Sequence, residues 1–525
     1  MKRRQFLKDT ATFSMLPMAI GSFPLRTLKE GSIWHSLAAQ ATNTDHVLVV
    51  IELSGGNDGL NTILPIDQYS NLSQARNNVV IPQNKLLALT GYNNNGLHPS
   101  MTGMQTMFNE GKMQIIQNVG YNNQNFSHFR SSDIWLSASD SNEYYSTGFL
   151  GRYLNNEYPN FPVGYPNNNM PDPLGIQVGS FLSYAFQGPS SPMGTTISDP
   201  SYVYNATNGI QDPSPSNCAG SQLDYVRLVN NQASSYSKVI AAAANKVNSH
   251  SAYPANNELA EKLKVVSKLI KGGLKTRVYF VSLGGFDTHS NQTDKNDKTI
   301  GVHAQLLKTL SDAIKAFQTD LAYQGIEDRV MGMTISEFGR RIKSNDSQGT
   351  DHGSAAPLFT FGKNVDGGKI IGTNPVISAS VGVEDNLPME FDFRQVYASV
   401  LEDWFCLSKT DVQAVLQKPF NKLNVFKTSC NAVGVNSYKY SGQSLVSAYP
   451  NPFQNQFQVK FNSKGGLTEI DVMNLMGQVI HSVTNEYYDK GEYEKTIDAS
   501  AWASGTYFVR IKQNELIQSV SVVKL

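Results

Sequence analysis

The sequence predicts an α/β fold, a mainly parallel sheet with helices on both faces, followed by a small C-terminal all-β sandwich. Three observations carry this expectation. Near-continuous apolar runs of strand length recur along the chain, as expected of strands covered on both faces. Longer segments with helical periodicity separate them. Past residue 446 the text changes to short alternating segments with turn signals.

Taken in order, residues 46–52 and 113–119 form the first two strands, with a helix expected over 101–109 between them. Residues 142–251 are rich in Asn, Pro, Ser, Gly and Tyr and weak in periodicity, so they read as a loop-rich insertion. Helices over 258–271 and 302–323 flank strands at 277–283 and 329–335, and a helical pair closes the domain at 393–406 and 409–416. This gives one domain over 42–425 and a linker over 426–445. Strands at 457–461, 469–475, 478–483, 505–511 and 519–523 follow, with turns at Met476-Gly477 and Gln513-Asn514.

Composition removes several function classes. The 525 residues hold 43 Lys+Arg against 43 Asp+Glu, so no global positive field exists and no nucleic-acid partner is expected. Charged residues are 16%, against about 25% in ordinary domains, too few for a coiled coil or a charge-driven disordered chain. An apolar share of 40%, with 25 Phe and 24 Tyr, supplies real cores. The 3 cysteines lie far apart and exclude a disulfide scaffold and a zinc knuckle.

The N-terminus is basic. Lys2, Arg3, Arg4 and Lys8 precede an apolar stretch over 11–25, and Ala39-Gln40-Ala41 supplies a small-residue cleavage site. Arg3-Arg4 followed by Phe6-Leu7-Lys8 resembles the twin-arginine signal, which implies the twin-arginine translocase as a partner and a signal peptide over 1–41.

Chemistry is expected where the strands end, because open α/β sheets carry their sites outside the carboxyl ends. The first strand runs into SGGNDGLN, the second into NFSHFRSSD, the third into GGFDTH and the fourth into SEFGRR, with DHG a little further on. Asp58, Asp287, His289, Glu337, Asp351 and His352 are therefore expected on one rim. Carboxylates and imidazoles without thiolates suit a divalent Zn, Mn, Mg or Ca ion, and more than four ligands admit two ions.

Two resemblances extend these expectations. The segments YPNPF, DVMNLMGQVI, SGTYFVRI and VVKL, in that order over about 446–525, resemble the C-terminal sorting domain of the Bacteroidetes type IX secretion system. That implies the type IX machinery as a partner and a secreted or cell-surface location. The segments VVIELSGGNDGLNTILP, LHPSMTGMQTMFNEGKMQIIQNVGY, NFSHFRSSDIW, GGFDTH, ISEFGRR, DHGSAAP and FDFRQVYASVLEDWF occur in the order of domain of unknown function 1501. That family is similar to the alkaline phosphatase and sulfatase superfamily, which implies a metal-dependent hydrolase of small-molecule or glycan phosphate or sulfate esters.

By the same resemblance, Asp58, Asp287, His289 and His352 take metal-ligand roles, and Glu337 departs from the superfamily's Asp-His or Asp-Asn pair. Ser127, preceding a helix, is the candidate nucleophile with the adjoining His128 as a second catalytic candidate, and Arg130 or Arg340 the clamp for a tetrahedral anion. The structural alternatives are a Ser127 helix cap and arginines in ion pairs. No cysteine fits the sulfatase pattern, which leaves a second function open: a non-catalytic surface binding protein on a degenerate hydrolase scaffold.

Overall fold

A computed structural model of the chain describes residues 19–20, 23–24, 45–199, 214, 218–428, 446–474, 479–513 and 516–525. Most of the signal-peptide expectation and most of the linker lie outside the described residues. Two compact units result, Thr44–Ala432 and a second one holding Val433–Leu525.

The larger unit is built on β1 (Val47–Leu53), β2 (Met113–Gly120), β3 (Gly175–Val178), β4 (Thr195–Ile197), β5 (Val278–Leu283), β6 (Val330–Ile335), β7 (Arg340–Ser344), β8 (Thr350–His352), β9 (Ala356–Phe361), β10 (Lys369–Ile371) and β11 (Phe391–Asp392). Its helices are α1 (Thr102–Asn109), α2 (His128–Ser137), α3 (Phe149–Glu157), α4 (Cys218–Asn245), α5 (Glu258–Lys271), α6 (Val302–Tyr323), α7 (Phe393–Ser399) and α8 (Lys409–Leu416). Among the described residues the main sheet has the order β10-β2-β9-β6-β1-β5-β3-β4, with β11 on β2. β1 lies parallel to β5 and β6. β9 runs antiparallel to both β6 and β2, so β2 keeps the direction of β6.

The sequence of β1, VLVVIEL, explains its central place. Val47, Val49 and Val50 are fully buried, as a β-branched run between two helical layers must be. Alternate residues serve opposite faces. Leu48, Val50, Phe280 and Met333 pack with Ile134 and Trp135 of α2, Phe149 of α3 and Tyr397 of α7. Val49, Ile51, Tyr279 and Val281 pack with Met104 of α1, Leu263 of α5 and Leu310 of α6. Each such side chain contributes about 1.5–3 kcal/mol by leaving water.

Helix ends follow local chemistry. Asn257 Oδ1 accepts the Ala260 amide at the start of α5, with Glu258 and Glu261 in the first turn and Lys268 and Lys271 in the last. Asp392 and Gln395 form a capping box on α7. That helix continues as a π-turn over Val400–Trp404, where the sequence predicted one regular helix.

Segment 142–251 differs from its expectation as a loop-rich insertion. It supplies α3, the long helix α4 and two parallel strands, β3 and β4, that complete one side of the main sheet. Those strands are 4 and 3 residues long, too short for periodicity to reveal.

The C-terminal unit is one antiparallel sheet of β12 (Val446–Tyr449), β13 (Gln456–Met473), β14 (Val479–Asp498), β15 (Gly505–Gln513) and β16 (Leu516–Lys524). The segments expected as separate strands at 457–461 and 469–475 are one long strand, bent where Gly465 and Gly466 adopt positive φ. β13 pairs with β14 along its length, and its other edge is shared by β12 and β15. The sheet thereby curls as a half-barrel over Phe457, Val459, Phe461, Ile470, Val509 and Ile511. Lys524 donates its ammonium to the carbonyls of Ala499, Ser500 and Trp502, which ties the last strand to the preceding turn.

Candidate metal centre

Four strands deliver the site. After β1 the chain turns through Gly55 and Gly56, both at positive φ. A Cβ on Gly55 would stand 2.3 Å from the Asp287 amide, and one on Gly56 would stand 2.3 Å from the Phe338 ring. Glycine there lets the β5 and β6 loops close over the turn.

Asp287 lies at the centre. Its carboxylate is 3.4 Å from His128 Nε2, 3.3 Å from His289 Nε2 and 3.1 Å from His352 Nε2. His128, Asp287 and His352 offer ligand atoms within 4.8 Å of one another. Ligand atoms about 2.0–2.1 Å from a tetrahedral ion are about 3.3 Å apart. The spacing therefore fits a divalent ion, and the half-exposed Asp287 and His289 side chains leave it accessible.

Each imidazole is held from behind. His128 Nδ1 is 3.0 Å from Glu337 Oε1, His289 Nδ1 is 3.0 Å from Asp351 Oδ1, and His352 Nδ1 is 2.7 Å from the Phe126 carbonyl. A carboxylate or carbonyl only accepts, so Nδ1 carries the proton in all three rings and Nε2 presents a lone pair. This is the usual outer arrangement of metal-ligating histidines. Burial, opposed by the hydrogen bond to the Phe126 carbonyl, moves the His352 imidazole below its ordinary range. Partial burial opposes charge on Asp287, but the Arg340 guanidinium, bonded to it at 2.8 Å, outweighs it and holds the carboxyl down to about 2.

The expected residues sort into three groups. Asp287, His289 and His352 are brought together as ligand candidates. His128, expected in a catalytic role beside Ser127, joins them. Glu337 and Asp351, expected as ligands, stand one layer out as partners of His128 and His289, and Glu337 also accepts the Gly55 amide at 2.7 Å. Asp58 is a correction. It is fully buried, and Arg76 grips both its oxygens at 2.9 Å while Gln292 donates at 2.6 Å. Its carboxylate serves an internal ion pair and not the rim.

Arg340 is a second correction. It is buried, and its guanidinium donates to the carbonyls of Gly55, Gly56, Phe286 and Thr350 and to Asp287 at 2.8 Å. It positions Asp287 and has no exposed face for an anion. Arg130 donates to the carbonyls of Asp140, Ser141 and Glu143 and lies over the Tyr144 ring, so it straps a loop. Ser127 is exposed at the N-terminus of α2 and its side chain makes no capping bond.

Sequence reasoning missed Phe338, whose ring lies under His128 and His352 at centroid distances of 5.0 and 4.4 Å. It also missed the Phe126 carbonyl, since a backbone acceptor leaves no compositional signal.

Comparison with known proteins bears on both units. Residues 447–524 match the family model described as a secretion system C-terminal sorting domain. The chain carries a type IX sorting domain. That domain implies handling by the type IX secretion system, secretion and attachment to the outer surface. Residues 222–418 match the model of a family described as a protein of unknown function (DUF1501).

No curated protein matches the chain in sequence. Solved structures that the chain matches include one from a Bacteroides thetaiotaomicron locus described for metabolism of multiple glycosaminoglycans, with TM-score 0.33, 9% identity, and coverage of 91% of this chain and 89% of that one. Another is a sulfatase from Pseudoalteromonas sp., with TM-score 0.32, 7% identity, and coverage of 88% and 85%. A third is an alkaline phosphatase superfamily protein from Vibrio parahaemolyticus, with TM-score 0.33, 10% identity, and coverage of 90% and 78%. Among the described residues no helix is long and apolar enough to cross a membrane.

Proposed function

We propose that the protein is a secreted or cell-surface, metal-dependent hydrolase of phosphate or sulfate esters. One observation carries the reading: three imidazole Nε2 atoms converge on the Asp287 carboxylate at the carboxyl rim of the sheet, each ring anchored through Nδ1. Three nitrogens and one carboxylate favour a borderline ion such as zinc over manganese, calcium or magnesium. Because Glu337 and Asp351 serve the histidines, one ion suits the set better than two. A bound cation would place positive charge against the ester oxygens and make an attacking oxygen more acidic.

The chain's own residues supply the rest. Arg340 fixes Asp287, Glu337 and Asp351 hold two rings in one tautomer, and Phe338 supports them from below. Ser127 is the candidate nucleophile, exposed at the N-terminus of a ten-residue helix that favours negative charge. Attack by its Oγ on phosphorus or sulfur breaks the ester bond, the alcohol leaves with a proton, and water then releases the inorganic anion. Export through the twin-arginine translocase precedes type IX secretion, and the disulfide-bonded Cys406 suits such an oxidising destination.

The commitment of Arg130 and Arg340 to structural bonds favours a second reading, a non-catalytic surface binding protein. Metal analysis of the purified chain followed by a panel of phospho- and sulfo-esters separates the two. Stoichiometric metal with turnover supports the hydrolase. Stoichiometric metal without turnover of any ester supports the binding protein.

A further inference from the structure

One buried amide links the Asp58–Arg76 pair to the rim. Gln292 is fully buried, as are Asp58 and Arg76. Its Nε2 donates to Asp58 Oδ2 at 2.6 Å, and its Oε1 accepts from the hydroxyls of Thr350 at 2.7 Å and Thr288 at 3.0 Å. The amide has one orientation. A carboxylate gripped at both oxygens by arginine only accepts, so Nε2 faces Asp58 and Oε1 faces the threonines. Both threonines are buried beside the centre. Thr288 lies between Asp287 and His289, and Thr350 precedes Asp351 and His352. Thr350 also donates its amide to the Thr288 carbonyl at 3.1 Å, and its own carbonyl accepts from Arg340 at 2.7 Å. The Gln292 backbone donates to the Gln348 carbonyl at 2.8 Å and accepts the His303 amide of α6 at 3.1 Å. The His289 and Asp351 side chains are themselves partly exposed, so the buried residues behind them must fix their 3.0 Å contact.

We propose that Gln292 is a positioning residue for the metal centre: oriented by the Asp58 carboxylate, its Oε1 clamps segment 287–289 to segment 350–352 and so holds His289 Nδ1 against Asp351. The inference rests on the metal-centre reading for the ion alone, because the His289–Asp351 contact belongs to the chain itself. An acceptor shared by two buried donors cannot be removed without leaving both unpaired, and the two segments then separate until other partners or water reach them. That separation frees the His289 ring to exchange its Nδ1 proton for one on Nε2, the form that cannot ligate through Nε2.

The test uses the full chain carrying nitrogen-15 histidine, with Gln292→Met, Thr350→Val and Thr350→Ser variants, and His289→Gln to assign the ring signals. In the metal-free native chain the His289 ring nitrogens are expected to report the Nδ1–H tautomer alone. Gln292→Met and Thr350→Val should each show both tautomers. Their zinc affinity, measured by competition with a chromophoric chelator, should fall about two- to tenfold, the size of one lost buried hydrogen bond, with stoichiometry unchanged at saturation. Thr350→Ser keeps the hydroxyl and should behave as the native chain. If Gln292→Met fails to fold, the two Thr350 variants decide. An unchanged His289 tautomer in Thr350→Val overturns the proposal whatever happens to stability, since a merely structural role moves Tm and not the ring proton. An altered tautomer in a chain that takes up no zinc leaves the role of Gln292 standing and removes the metal-centre reading. Zinc uptake with an unaltered tautomer does the reverse.

Discussion

The Nε2 atoms of His289 and His352 lie 2.9 Å apart, while the Nδ1 atoms of the same rings face the Asp351 carboxylate and the Phe126 carbonyl. With both Nδ1 atoms protonated, two nitrogen lone pairs point at each other. Such a pair is stable only with a cation between, a proton or a metal ion.

Metal should therefore stabilise the fold. At about 1,000 times Kd a ligand that binds only the native state contributes about 4 kcal/mol. The expected outcome is a Tm several degrees higher in zinc than after chelation, measured by scanning calorimetry. His352→Ala should abolish the difference. A Tm indifferent to both metal and chelator counts against the cluster.

The outer partners should tune affinity without deciding it. Glu337→Gln and Asp351→Asn are each expected to weaken metal binding about 10- to 100-fold, whereas Asp287→Ala removes it. Competition against a chromophoric chelator measures the three. Complete loss in Glu337→Gln would place that carboxylate on the ion itself.

Asp58 should behave as structure. Asp58→Asn leaves Arg76 buried without its counter-charge, and breaking a buried pair costs about 3–5 kcal/mol. Urea unfolding should show that loss, and metal stoichiometry should stay unchanged. Lost metal with retained stability would restore Asp58 to the rim.

The interior histidines predict a pH response. Burial, then the neighbouring His303, hold His98 down to about 3, and burial holds His303 down to about 4. Both are neutral in the folded chain near neutral pH, but the unfolded chain takes up protons near 6.5. The unfolded state binds more protons below that value, so stability falls as pH drops through about 6.5 and stops falling on their account below about 4 and about 3. The slope is at most about 1.4 kcal/mol per pH unit for each ring. Urea midpoints at pH 7 and pH 5 check it, with a shallower fall expected in His98→Gln.

Strand polarity made the rim legible. GGFDTH, SEFGRR and NFSHFR follow strands of the main sheet that reach the same edge, so Asp287, His289, Glu337 and His128 could be placed together before any side chain was seen, whereas Asp351 and His352 lie within β8, the partner of β7 in a separate two-stranded sheet. Position after a strand does not tell which way a side chain turns. Asp58 turns inward because Arg76, eighteen residues later, is buried beside it, a pairing no periodicity reveals. Inner and outer carboxylates look alike in sequence as well. Glu337 and Asp351 differ from Asp287 only in facing Nδ1 and not Nε2. The short strands β3 and β4 stayed hidden for the opposite reason, since the main sheet, and not their own few residues, fixes them.

X-ray absorption at the edge of the bound metal tests the central claim most directly. The account predicts one ion per chain with a first shell of three imidazole nitrogens and one carboxylate oxygen at about 2.0–2.1 Å, other ligands being solvent or substrate. A shell without imidazole scattering, a shell containing sulfur, or no bound metal in the full-length chain would contradict it.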